Sequence, residues 1–151
     1  MFTVRQFEPK DMFAVIKLAS KILSERYSPT LFTYFYEFSP DGFLVAEEHY
    51  KIIGFAIGVK QNTDIGRIVM IGTQPSKQKR GVGSSLLKRL LSYFINQDVQ
   101  YVELEVKTTN TDAVRFYQRY HFNIRETIPN FYQNNESAYL MRRRCFPDSN
   151  G

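Results

Sequence analysis

The chain opens with apolar and polar positions in alternation over residues 2–7 (FTVRQF), the pattern of a strand. Pro9 and Asp11 then open a helix whose apolar stripe is Met12, Val15, Ile16, Ala19, Ile22 and Leu23. Ser28-Pro29 starts a shorter helix rich in aromatics, from about 30 to 38, and the turn Ser39-Pro40-Asp41-Gly42 ends it. Three strand-like runs follow at 43–47, 52–59 and 65–71, with a hairpin at 49–51 and a turn at Asn62-Thr63-Asp64. Helix and strand then alternate. A helix over 81–96 carries Val82, Leu86, Leu87, Leu90, Leu91 and Phe94 on one face, and a strand lies at 101–107. A helix from 111 to about 120 and two strands near 122–128 and 137–143 complete the pattern. The order β-α-α-β-β-β-α-β-α-β-β predicts an α/β fold, a mixed six- to seven-stranded sheet with helices on both faces. The meander in the first half excludes a uniform Rossmann alternation.

A length of 151 residues with 13 Phe and 10 Tyr suits one domain over 1–151 with a substantial core. No run approaches the roughly 18 apolar residues of a membrane helix. Arg5 and Glu8 interrupt the first ten residues, so a secretory leader is not expected. The lone Cys145 cannot form an internal disulfide and fits a reducing cytoplasm. The two histidines, His49 and His121, lie far apart, so no Cys/His metal site is expected. A net charge of +5 favours an anionic partner without choosing between phosphate ligand and nucleic acid. The run Arg142-Arg143-Arg144 falls on an alternating strand that would split it between two faces, which argues for a solvated strand end.

The segment Gln78-Lys79-Arg80-Gly81-Val82-Gly83-Ser84 follows an apolar strand and opens an amphipathic helix. Its glycines allow a ligand close to the main chain. The first amides of a helix lack internal acceptors, and the helix dipole favours an anion there. Lys77, Lys79 and Arg80 add positive charge at the same end. A Walker loop is excluded because Ser84, not Lys, follows Gly83, and a Rossmann fingerprint lacks its third glycine at Leu86. Taken alone, the heptapeptide is equally a diphosphate cradle or an ordinary helix start with a solvated basic cap.

In YVELEVKTTNTDAVRFYQRY (101–120), Val102, Leu104 and Val106 share one strand face, and Glu103 and Glu105 the other. Asn110 sits at a helix N-cap position and Tyr117 lies two turns on. A carboxylate, an amide and a phenol thus approach one strand-to-helix junction. The same residues read singly are a cap, a packed aromatic and solvated glutamates.

Together, the two constellations resemble the GNAT acetyltransferases, whose Q/R-x-x-G-x-G/A motif corresponds to Gln78-Lys79-Arg80-Gly81-Val82-Gly83. Val102 to Val106, Asn110, Ala113, Phe116-Tyr117 and Phe122 resemble the second half of RimI-type and NatA-type N-terminal acetyltransferases. Ile128-Pro129-Asn130-Phe131-Tyr132 and Ala138-Tyr139-Leu140-Met141 are similar to their C-terminal hairpin. Leu23-Ser24-Glu25-Arg26-Tyr27 resembles the Leu-Pro-Glu-Asn-Tyr segment of NatA catalytic subunits, with Ser24 in place of proline. Gly72 stands where a larger residue is common.

The resemblance implies transfer of acetyl from acetyl-CoA to a protein α-amino group, with no metal. Lys79, Arg80, Gly81, Val82, Gly83 and Ser84 would hold the diphosphate. Ile71, Gly72 and Thr73 would pair with the pantetheine arm, and Asn110 and Tyr117 would also contact the cosubstrate. Tyr117 would act as acid toward the thiolate. Glu105, with Glu103 as runner-up, would act as base. Leu23, Glu25, Tyr27, Tyr132 and Tyr139 would grip the peptide. An auxiliary or ribosome-anchoring subunit, as in some relatives, and a lysine or small-amine acceptor remain open. No acid stands in 67–71, which suits an α-amine: with a pKa near 8, about a tenth of it is neutral at pH 7, against less than about one part in a thousand of a lysine.

Overall fold

The computed structural model describes residues 1–23 and 27–146. Its elements are β1 (Thr3–Gln6), α1 (Met12–Ile22), α2 (Pro29–Phe38), β2 (Phe43–Glu48), β3 (Lys51–Lys60), β4 (Ile65–Thr73), α3 (Val82–Asn96), β5 (Tyr101–Lys107), α4 (Thr111–Arg119), β6 (Asn123–Ile128) and β7 (Ala138–Arg144). The expected element order holds. The seven strands lie in the order β1-β2-β3-β4-β5-β7-β6. All neighbours are antiparallel except β4 and β5, the pair that α3 connects. A parallel pair needs such a crossover.

Strand alternation gives the sheet two covered faces. In β2, Phe43 and Val45 join the core beneath α1 and α2, while Leu44 and Ala46 join the core beneath α3 and α4. The expected stripe of α3, from Val82 to Phe94, is buried throughout. Phe94 seats against the sheet because Gly66 offers no side chain; a Cβ there would stand 2.4 Å from the ring. The hairpin between β2 and β3 is a two-residue turn with His49 and Tyr50 both left-handed, the geometry that matches strand twist. Among the described residues, no helix is long and apolar enough to cross a membrane.

β4 carries the irregularity that matters most. Ile57 pairs with Met70 and Gly58 with Ile68, so Val69 is a surplus residue, a β-bulge. Its effect on side-chain direction is visible in the cores: Ile68 belongs to the α3/α4 side and Met70 to the α1/α2 side, although residues two apart in a regular strand share a face. A bulge also bends its strand.

Candidate active site

Three rungs join β4 to β5: Ile65, Gly66 and Arg67 lie opposite Tyr101, Val102 and Glu103. The bulge at Val69 follows at once, and from there β4 continues to Thr73 paired with β3 while β5 continues to Lys107 paired with β7. The two strands diverge, and their facing edges carry backbone groups without strand partners. Two clefts meet at this gap. One, of about 670 Å³, runs from the end of β4 past the start of α3 to α4. The other, of about 560 Å³, is bounded by Leu23, Tyr27, Arg67, Glu105, Lys107, Phe131 and Tyr132. Leu23, Ile71, Asn110, Ala113 and Tyr117 line both.

The first cleft is suited to a phosphorylated ligand. Gly81 is the N-cap of α3 with φ +86°, a left-handed conformation that glycine adopts without strain. Among the described residues no side chain caps the helix, and Ser85 makes the first helical bond, to the Gly81 carbonyl at 3.0 Å. The amides of Val82, Gly83 and Ser84 are therefore left without helical acceptors, and all three residues line the cleft. Lys77, Gln78 and Lys79 line it as well. Ile71, Gly72 and Thr73 form its strand wall. A Cβ on Gly72 would stand 2.2 Å from Ile22 Cδ1, where α1 ends against β4, so the tip of that side chain would have to turn aside.

Arg80 departs from expectation. It lies outside the cleft lining and turns to Glu48 at the end of β2, 3.2 Å away. Glu48 is 5% exposed and also holds Lys77 Nζ at 2.8 Å. A buried carboxylate requires such partners, and it draws Arg80 away from the ligand space.

Asn110 is the N-cap of α4; its Oδ1 accepts from the Ala113 amide at 3.2 Å. Tyr117 is buried on α4, yet it borders both clefts. Burial, reinforced by the nearby Tyr132 phenol, pushes its hydroxyl well above the usual tyrosine range. The group stays neutral and able to donate. No hydrogen bond to that hydroxyl forms among the described residues.

The two glutamates of β5 separate. Val102, Leu104 and Val106 enter the α3/α4 core, so Glu103 and Glu105 project from the opposite face. Arg67 Nη2 bonds Glu103 at 2.9 Å, and its Nη1 bonds Glu105. Glu103 is further held by Arg142 Nε at 2.7 Å and does not border the clefts. Glu105 does, and its Oε1 has no hydrogen-bond partner among the described residues.

Leu23, Tyr27 and Tyr132 line the second cleft. Tyr139 does not: on β7 it shares the face of Met141 and packs on the α3/α4 core, whereas Arg142, one residue further, faces Glu103. Glu25 lies outside the described residues, as do Ser24 and Arg26. Sequence reasoning did not single out Arg67 or Glu48. A lone arginine in an apolar strand, beside a neighbour with glutamates two apart, was a usable signal for the first. Glu48 had none, being about 30 positions from the turn it holds. The arginine run divides as expected, Arg142 over the Tyr101 ring and Arg143 to the Tyr120 carbonyl.

Comparison with known proteins agrees with this geometry. The model of the acetyltransferase (GNAT) family matches residues 12–122. An uncharacterized N-acetyltransferase of Methanocaldococcus jannaschii is 30% identical over 93% of this chain and 90% of its own. N-alpha-acetyltransferase 30 of Schizosaccharomyces pombe is 27% identical over 92% and 95%. The crystal structure of Ard1 from Thermoplasma volcanium superposes with a TM-score of 0.92 at 34% identity, covering 97% of this chain and 99% of that one. With a capless helix start beside parted strands, and a family match over most of its length, the chain belongs to the acetyltransferase (GNAT) family of acetyl-CoA-dependent N-acetyltransferases.

Proposed function

We propose that this single domain, residues 1–151, is a protein N-terminal acetyltransferase of the cytoplasm that moves acetyl from acetyl-CoA to a peptide α-amino group. The observation that carries the reading is the junction of two clefts at the gap between β4 and β5, with Tyr117 bordering both. The resemblance to N-alpha-acetyltransferases supports the α-amine as acceptor, and the buried, unpaired Cys145 fits a reducing compartment.

In this mechanism, the amides of Val82, Gly83 and Ser84 bind the diphosphate, with Lys79 adding charge. The free edge of β4 at 71–73 pairs with the pantetheine arm, and a β4 amide polarises the thioester carbonyl. Leu23, Tyr27 and Tyr132 hold the peptide so that its amine reaches the gap. Glu105, through Oε1 or one water, takes the proton of the ammonium. The amine nitrogen then forms a bond to the carbonyl carbon as the carbon–sulfur bond breaks. Tyr117 donates to the departing sulfur, and the second amine proton replaces the one it gives. All the named groups come from this chain; a ribosome-anchoring subunit would add delivery, not chemistry.

The test is incubation with acetyl-CoA and matched peptides whose N-termini are free or blocked, read by mass spectrometry. Acetylation confined to free N-termini is expected. Products only on lysine side chains, or only on polyamines, would overturn the reading.

A further inference from the structure

Among the described residues, Glu48 is the most buried carboxylate outside the β4–β5 gap that holds more than one cation, and no step of the chemistry uses it. It lies on β2 two residues beyond Ala46 and four beyond Leu44, so alternation puts it on the α3 side of the sheet, under the start of that helix. The left-handed pair His49-Tyr50 ends the strand just past it. From there Oε1 meets Lys77 at 2.8 Å and Oε2 meets Arg80 at 3.2 Å. The amino group of Met1 stands 3.6 Å from Oε2. Lys77 and Arg80 bracket the turn that delivers the chain to Gly81, and within it Lys79 takes a left-handed φ of 63°. Lys79 is the basic side chain of this turn that lines the cleft and has no ion pair among the described residues.

We propose that Glu48 is a positioning residue for the cosubstrate: by tying down Lys77 and Arg80 it fixes the path of residues 78–81, and so the direction in which the amides of Val82, Gly83 and Ser84 point. Two of the three cations at this helix start are thus committed to shaping the site. Misdirecting amides by a fraction of an ångström weakens every contact they make at once. The inference rests on the acetyl-CoA site and is independent of which amine is the acceptor.

Simple charge bookkeeping predicts the opposite sign. Removing an anion from beside a diphosphate site, and releasing two cations, should tighten the binding of an anionic ligand. The direction of change therefore decides. Glu48→Gln keeps the shape of the side chain and removes its charge. Calorimetric titration with CoA should show Kd raised about tenfold. The KM for acetyl-CoA should rise in step, while kcat at saturation and the KM for peptide stay within about twofold. Arg80→Gln is the second variant and guards against a misfolded first. A few-fold rise in Kd is expected there, and because loss of a nearby positive charge would by itself also raise Kd, the double variant separates the two accounts: a double variant weaker than Glu48→Gln would overturn the assignment. The double variant should bind no more weakly than Glu48→Gln alone. An unchanged or lower Kd in Glu48→Gln, with or without a fall in Tm, would overturn the assignment. So would an Arg80→Gln protein with unaltered Kd. Loss of the N-terminal activity while these shifts remain would sink only the acceptor reading.

Discussion

Arg67 and Glu103 face each other on the last rung that joins β4 to β5, and their side chains close that rung with a 2.9 Å ion pair. The same guanidinium extends to Glu105, two residues further along β5 and already in the gap. One arginine thus seals the point where the strands separate and holds the carboxylate that borders the acceptor cleft. Glu103 belongs to the seal; Glu105 borders the cleft.

The two glutamates are separable by experiment. Glu105→Gln should reduce kcat/KM for peptide by about 100-fold, the usual scale for a lost general base. The deficit should be deepest at low pH, where fewer amines are already neutral. Glu103→Gln should retain most activity and lose about 2 kcal/mol of stability, because two arginines lose a buried partner. Steady-state kinetics and urea unfolding on both variants decide. The reverse pattern would exchange their roles.

Tyr117→Phe should lower kcat by about 100-fold with the KM for acetyl-CoA nearly constant. A pH signature accompanies it. Burial raises the hydroxyl above its ordinary value near 10, so the folded protein keeps a proton that the unfolded chain gives up. Its contribution to stability is full below pH 10 and declines as the pH rises beyond. Wild type should destabilise above about pH 10 by an amount that the Phe variant does not show, measured by urea midpoints.

Gly81→Ala tests the helix start. At φ +86° an alanine costs about 1–2 kcal/mol even though a Cβ would meet nothing within 4 Å. Backbone strain, not crowding, is the expected defect. The KM for acetyl-CoA should rise while that for peptide holds. Equal kinetics for both proteins would remove the turn from cosubstrate binding.

Asp11 gives an acid-side prediction. Burial alone would raise its carboxyl, but Arg5 at 2.8 and 2.9 Å and the Glu8 amide at 2.9 Å outweigh that and hold it below its ordinary value. The resulting stability is present above about pH 4 and lost as the pH falls through the lower folded value. Asp11→Asn should cost about 1–2 kcal/mol at pH 7 and progressively less toward pH 3, followed by chemical denaturation.

Cys145 is 1% exposed, and burial pushes its thiol up. Native protein should react with a disulfide reagent far more slowly than protein in urea, and Cys145→Ser should keep full turnover.

Much of this was legible in advance because periodicity and helix-end chemistry are local. The α3 stripe, the capless glycine start and the Asn110 cap are all written within a few residues of where they act. The bulge at Val69 was not, since alternation over 65–71 places Ile68 and Met70 on one face and only the register with β3 shows otherwise. Arg80 and Tyr139 lie outside the cleft linings for a related reason: the partners they meet, Glu48 and the core beneath α4, come from distant parts of the chain. Charge near a motif indicates what a site attracts, but a buried carboxylate elsewhere decides which cations remain available to it.

The surplus residue in β4 has a consequence for how such an enzyme could be disabled. With Val69 excised, the strand would keep step with both neighbours, and its hydrogen bonds could zip onward past Arg67 toward Lys107. The product would keep every other side chain named for the proposed chemistry and leave nowhere for thioester and amine to meet. On the proposed mechanism, a vacancy in the ladder beside one surplus amino acid is what would make room for the reaction.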